Sequence, residues 1–433
     1  MINLHSNLRN IDGVLHFGGR NMSEIAEKYG TPLYVMDEQT IRANCRTYVR
    51  AMKKYFGESS YPCYASKACC FKDIYRIIGS EGMSADCVSC GEIYTAKSAG
   101  FDMSKIHFHS NSKNDYDINY AIDAGVGYFV VDNLEELFAL NDIAGKRNIR
   151  QKILLRLTPG IDTHTYEAVR TGNVDSKFGF PIETGAAQKA VKKALACENI
   201  ELKGYHCHIG SQLFDSDVFI RAADIMIEFT CKMRDKFNYI AEEIDLGGGY
   251  GVRYHESDPI IDIENNIRLV ADRFHKKCRT MNITPPAVIL EPGRSIVADA
   301  GITLYTVGNV KRIEGYKNYV AVDGGMGDNP RNLFYGSTYS VLSVENLNKP
   351  ATFLCDLVGR FCESGDVVTP NISLPEDVKR GDKVAVLTTG AYNFSMSSNY
   401  NRYPRPAVIM IDGDTDRISV RQETIEDIIS RDN

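Results

Sequence analysis

The sequence predicts a parallel (β/α)8 barrel of the TIM type joined to a C-terminal all-β domain, and three observations lead there. Eight short β-rich apolar runs occur between residues 61 and 291, amphipathic helical stretches separate them, and after about Gly301 helical periodicity gives way to short strands broken by turn residues. The chain, 433 residues at 43% hydrophobic and 24% charged, is long enough for two or three cores.

In chain order, residues 1–36 contain GVLHFGG and SEIAEKYG. A single strand cannot make a sheet alone, so this segment is expected to pack with the β domain. The barrel is expected over 37–299. Its strands are YPCYAS from 61, GMSAD from 82, IHFHS from 106, GYFVVD from 127, KILLRL from 152, LKGYHCHIG from 202, EEIDLGGG from 242 and AVILEPG from 287. Helical stretches between them include GEIYTAKSAG, NLEELFALNDIAGK, AAQKAVKKALA and SDVFIRAADIMIEFTCKMRDKF. The β domain, 300–433, reads as ITLYTVGNVKRI, YVAVDGG, ATFLCDLVG, KVAVLTTGAY, PAVIMIDG and RISVRQ.

A net charge of -6 gives no basic surface for nucleic acid. There is no run of 18 apolar residues, and MINLHSNLRN lacks the basic and apolar regions of a secretion signal, so a soluble cytoplasmic protein is expected. Its twelve cysteines are expected to be reduced. The lone CxxC, Cys87 to Cys90, has no second pair at zinc spacing, and no metal is expected.

In such barrels chemistry sits at the C-terminal strand ends. Lys67, Asp86, His109, Arg156, His208 and Glu291 fall there, on strands one, two, three, five, six and eight. Strand seven ends in DLGGGYG, where consecutive glycines bring backbone amides close to an anion; strand eight ends in EPGR, where Gly293 and Arg294 add amides and charge. These are the parts needed to hold pyridoxal 5'-phosphate. Lys67, its pKa lowered by burial, can form a Schiff base with the aldehyde, and Glu291 can keep the pyridine nitrogen protonated. His208 can stack on the ring, and Ser211 can donate to the phosphate.

The ordered set YASKA, SADCVSCGE, FHSNSK, RLTPGIDTHTYEAVRTGNVDSKFGF, HCHIGSQ, DLGGGYG, EPGR, DGGMGDNPRNLFY, GRFCESGD and GAYNFSMSSNYNRYPRP runs from about Gly13 to Ile411. It closely resembles the diaminopimelate decarboxylases, which belong to the alanine-racemase-like fold class of pyridoxal-phosphate enzymes. The resemblance implies decarboxylation of meso-2,6-diaminopimelate to L-lysine, with Lys67 as the Schiff-base lysine and His208 against the ring. It places Ser211, Gly248, Gly249, Gly293 and Arg294 about the phosphate, Glu291 at the pyridine nitrogen and Tyr392 on the cofactor. Arg294, Arg331, Tyr335 and Glu363 would hold the substrate's distal end. Cys362 would be the proton donor, supplied by the partner subunit of a homodimer. Cys69, Cys90 and Arg360 depart from the family's usual residues, and Arg360 stands two residues from Cys362. Another basic amino acid (D-ornithine, D-lysine or arginine) on the same scaffold is the nearest rival. A non-catalytic pyridoxal-phosphate carrier is the rival of another class, against which the C-terminal β domain argues.

Overall fold

The computed structural model describes residues 4–161 and 176–433; the middle of RLTPGIDTHTYEAVRTGNVDSKFGF, residues 162–175, lies outside the described residues. The chain forms two compact units, one made of Asn44–Gly251 with Ile260–Gly293, the other of Met1–Ala43, Val252–Pro259 and Arg294–Asn433. No helix among the described residues is long and apolar enough to cross a membrane.

The first unit is the barrel. Its strands are β1 (Tyr61–Ala65), β2 (Ser84–Cys87), β3 (Ile106–Phe108), β4 (Tyr128–Val131), β5 (Gln151–Thr158), β6 (Ile200–His206), β7 (Glu243–Asp245) and β8 (Ala287–Leu290). All eight neighbour pairings are parallel, and β8 pairs back to β1, closing the barrel. Helices such as Lys72–Ser80, Leu134–Lys146 and Ser216–Phe237 connect them, several started by Asn, Asp or Ser caps: Asn133 accepts from Glu136 N–H and Asp215 from Asp217 N–H.

Because side chains alternate along a strand, one parity faces the barrel interior. Cys63, Val130, Leu154 and Ile289 make a buried apolar layer, with Tyr61 and Tyr128 packed against it. His107 stacks on Tyr128 at 4.5 Å. Burying a side chain such as Leu154 or Ile289 contributes roughly 1.5–3 kcal/mol. Following the same parity past this layer toward the strand ends reaches Lys67, Asp132, Arg156 and Glu291. The polar groups are thus delivered to one rim by the alternation that builds the core.

The second unit is dominated by a nine-stranded sheet. Leu33–Asp37, buried at all five residues, lies between Gly301–Lys311, to which it is antiparallel, and Ala407–Asp412, to which it is parallel. The N-terminal segment is therefore a central strand of the β domain. It also holds more structure than the one strand expected: Leu8–Ile11, Val14–Phe17 and Arg20–Asn21 form an antiparallel meander, followed by the helix Met22–Tyr29. Phe17, Val35, Ile302 and Ile409 share one core; Tyr305, Val322, Leu357 and Val368 share another. Val367–Pro375, unread in the sequence because Pro370 and Asn371 signal a turn, pairs with Ala351–Val358 across an irregular register. Asn371 sits there at φ 55, its N–H held by Asp356 Oδ1 at 2.8 Å.

Candidate active site

Glu291, one residue past β8, is buried between two imidazoles. Its Oε1 lies 2.9 Å from His109 Nε2 and its Oε2 3.1 Å from His206 Nε2. Burial pushes the carboxyl up, but the two imidazoles outweigh it and hold Glu291 well below the usual carboxylate range. Asp245, ending β7, is driven the other way by burial and by Glu291, while its Oδ1 accepts the Gly247 N–H at 2.8 Å. The two neighbouring carboxyls are thus driven in opposite directions, Glu291 toward the ionised form and Asp245 toward the protonated one. Asp86, 3.8 Å from His109 Nε2, is pushed up by burial, to about 6, against the pull of His109.

Lys67 was expected to be buried; its side chain is exposed. β1 ends at Ala65, and Ser66–Ala68 form a single 3-10 turn whose flanking residues are buried. That turn is seated on Gly293, where an added Cβ would come within 2.9 Å of Ala65 Cβ and 3.1 Å of Ala68 Cβ. The packed space beneath is filled, so the long side chain extends from the rim. Its charge still reaches the site: burial shifts Asp86 and Glu92 up and His206 and His208 down, and Lys67 opposes the first pair and reinforces the second.

His208 Nδ1 accepts the Gly248 N–H at 3.3 Å, leaving Nε2 as the protonated nitrogen of a neutral ring. Burial, then Lys67 and Arg156, hold its pKa well below normal. The glycines do more than expose amides. A Cβ on Gly248 would meet Glu291 O at 2.0 Å, and one on Gly249 (φ 119) would meet Gly210 O at 2.4 Å. Leu213 N–H bonds Gly249 O, and Gly251 N–H bonds Leu213 O, both at 2.9 Å. The loops after β6, β7 and β8 are thus pressed together, with Ser211 half-buried among them.

Arg156 stacks on Phe178 at 4.2 Å, with Nε 3.9 Å from Asp132 Oδ1. Behind His109, the FHSNSK loop is pinned by buried Lys113, whose ammonium donates to Ser110 O, Val130 O and Glu136 Oε1 at 2.9, 2.9 and 2.8 Å. His206, Asp132 and Asp245 were not singled out in the sequence. The parity of HCH, which puts His206 on the same side as His208, was the available signal.

The remaining candidates belong to the other unit. There Tyr392, at φ 68, has two guanidinium groups over its ring, Arg294 at 4.8 Å and Arg331 at 4.9 Å. Arg294 also donates to Tyr254 Oη at 2.5 Å, and Arg331 lies 4.9 Å from the Tyr335 ring. Both arginines are buried, and among the described residues no carboxylate pairs with Arg331. Cys362 and Glu363 are exposed; Cys362 N–H donates to Asn401 Oδ1 at 2.9 Å. Arg360 stacks on Tyr403 at 4.0 Å. Asp366 fixes this loop by accepting the Met326 and Phe361 N–H groups at 2.6 and 2.8 Å. The CxxC thiols are inert: burial pushes Cys87 well up and Cys90 to about 12.

The barrel residues fit pyridoxal phosphate. Glu291 Oε1 is buried without a hydrogen-bond partner, and an ionised carboxylate in that state suits a protonated pyridine nitrogen.

A family profile described as pyridoxal-dependent decarboxylase, pyridoxal binding domain, matches residues 39–298. The chain is 40% identical over 430 residues to the diaminopimelate decarboxylase of Bacillus subtilis (strain 168), covering 99% of this chain and 98% of that one. It is 40% identical over 423 residues to the Staphylococcus aureus (strain COL) enzyme, covering 98% of each. A crystal structure of diaminopimelate decarboxylase from M. jannaschii with L-lysine matches at a TM-score of 0.91 and 32% identity, covering 99% of this chain and 98% of that one. With buried Glu291 between two imidazoles and this similarity over its full length, the chain belongs to the diaminopimelate decarboxylase family.

Proposed function

We infer that the protein is a pyridoxal 5'-phosphate-dependent carboxy-lyase that converts meso-2,6-diaminopimelate to L-lysine and carbon dioxide, the last step of lysine biosynthesis. The structural observation that carries this reading is Glu291, ionised and buried between His109 and His206. The bound cofactor supplies an electron sink for the pair left on the substrate carbon when carbon dioxide departs.

Lys67 would hold the cofactor through its amine, and Glu291 would keep the pyridine nitrogen protonated. Asp86, His109 and Arg156 set the charge around that carboxylate. Neutral His208 would stack on the ring; Ser211, Gly248, Gly249, Gly293 and Arg294 would hold the phosphate, with Tyr392 also against the cofactor. Arg294, Arg331, Tyr335, Glu363 and Tyr392 would bind substrate. Buried Arg331, without a carboxylate partner of its own among the described residues, supports recognition of a distal carboxylate. A substrate lacking that group would leave the guanidinium unpaired, a penalty worth roughly 10⁴-fold in discrimination.

Cys362 would deliver a proton to the substrate carbon from the partner subunit of a cytoplasmic homodimer. Exposed Leu333 and Phe334, on the same five-residue helix as Arg331 and Tyr335, support a subunit contact there. On this reading residues 37–299 form the cofactor domain, 300–433 the β domain, and 1–36 complete the latter. Incubation with meso-diaminopimelate and pyridoxal phosphate should release L-lysine and carbon dioxide in equal amounts, with lysine and ornithine turned over at least about 10³-fold more slowly. Comparable rates on ornithine, or racemised substrate without carbon dioxide, would overturn it.

A further inference from the structure

We propose that the cofactor-free protein binds a divalent transition metal at His109, His206 and Glu291, so that metal and pyridoxal phosphate exclude one another. The exclusion rests on the reading that Glu291 meets the cofactor; the metal site rests on geometry alone. Among the described residues this is the one group of three His, Cys, Asp or Glu side chains whose ligand atoms lie within 4.8 Å of one another, and all three are buried.

Two imidazole nitrogens and a carboxylate are a donor set suited to Zn²⁺, Co²⁺ or Ni²⁺. A tetrahedral zinc shell with bonds of about 2.0–2.2 Å separates its donors by roughly 3.3–3.6 Å. Here the imidazole nitrogens stand 2.9 and 3.1 Å from the two carboxylate oxygens and the three donors lie within 4.8 Å of one another, so a cation enters by side-chain adjustment, each close pair opening by a few tenths of an ångström and any wider pair drawing in.

A second observation points the same way. His109 Nε2 and Glu291 Oε1 are 2.9 Å apart, yet neither has a hydrogen-bond partner among the described residues. Two close, buried polar atoms whose hydrogen-bonding capacity is not met are costly when left so and are satisfied by a cation bound to both. Asp86 Oδ1, also without a hydrogen-bond partner and 3.8 Å from His109 Nε2, borders a fourth position that it or a water could fill. His206 Nδ1 lacks an acceptor among the described residues, so this site should bind about 10–100-fold more weakly than one with a complete outer shell. A metal here occupies the oxygen assigned to the pyridine nitrogen.

The test titrates Co²⁺ into the full-length protein stripped of cofactor and reads the visible d–d absorption of cobalt in a nitrogen and oxygen shell. One cobalt per chain is expected, with His109→Gln and His206→Gln each weakening binding at least about tenfold. Prior loading with pyridoxal phosphate should suppress the signal. Circular dichroism melts of the variants separate ligand loss from misfolding, and the competition on the wild-type protein needs no variant. No stoichiometric cobalt band, or equal affinity in both folded variants, overturns the proposal. Cobalt bound equally well with cofactor in place, and lost in the variants, leaves the metal site standing and overturns both the exclusion and the placement of Glu291 at the cofactor.

Discussion

His206 donates to Glu291 across 3.1 Å inside the barrel, with the two residues only 1% and 6% exposed. The imidazole is one of two that keep the carboxylate ionised against burial. Replacing His206 with Gln removes that support, so the Glu291 pKa rises and the acidic limb of the kcat/KM profile moves to higher pH. Glu291→Gln should cut kcat by roughly 10²–10³-fold with cofactor still bound. An unmoved acidic limb in the His206 variant would contradict the role assigned to this contact.

Buried histidines set an acid limit on stability. Burial takes His107 down to about 3, and burial with Arg253 takes His5 to about 4, while His206 and His208 shift the same way. An unfolded histidine accepts a proton near pH 6.5, which the native chain refuses until much lower pH. Stability is therefore lost as pH falls from about 6.5 toward the folded values. Glu291, with its folded pKa depressed, contributes stability that is full above the ordinary carboxylate pKa and is lost as pH falls from there through the folded value, so it does not account for the onset. Thermal melts should show Tm dropping between pH 7.5 and 5.5, less so in His107→Gln. A flat Tm across that interval would count against neutral buried imidazoles.

Gly248 lies outside the left-handed region, so Gly248→Ala isolates the steric effect of a Cβ 2.0 Å from Glu291 O. The β8 end must shift, costing roughly 1–3 kcal/mol. Chemical denaturation should show that loss together with weakened cofactor retention; wild-type stability and retention would show the three loops to be less tightly pressed than described.

Cys362→Ala should slow turnover by roughly 10²–10⁴-fold while cofactor stays bound. Mixing it with Lys67→Ala protein should restore some activity, since one hybrid site would hold both intact groups. Wild-type turnover in Cys362→Ala removes its acid role, and absence of complementation argues against sites shared between subunits.

The barrel was legible because each strand is a short apolar run bounded by turn residues, and because its rim groups follow two-residue alternation. LYVMD was harder: four apolar or aromatic residues and an aspartate directly before a helix carry no alternation, since the strand is buried on both faces. VVTPNISLP hid its strand behind a Pro-Asn pair that the sheet absorbs as an irregularity held by Asp356. Glu291 was readable from its place after a strand, but its two imidazole partners come from the ends of β3 and β6, which are not neighbours of β8 and meet it only across the closed barrel. The exposure of Lys67 was not readable, because it follows from how one turn packs on Gly293.

The most direct measurement is the visible absorbance of purified protein reconstituted with pyridoxal phosphate, compared with Lys67→Ala prepared in parallel. A long-wavelength band in the wild-type protein that is missing from the variant is the expected result, since the Lys67 amine is the group assigned to hold the cofactor. The same band in both proteins, or in neither, would contradict the account.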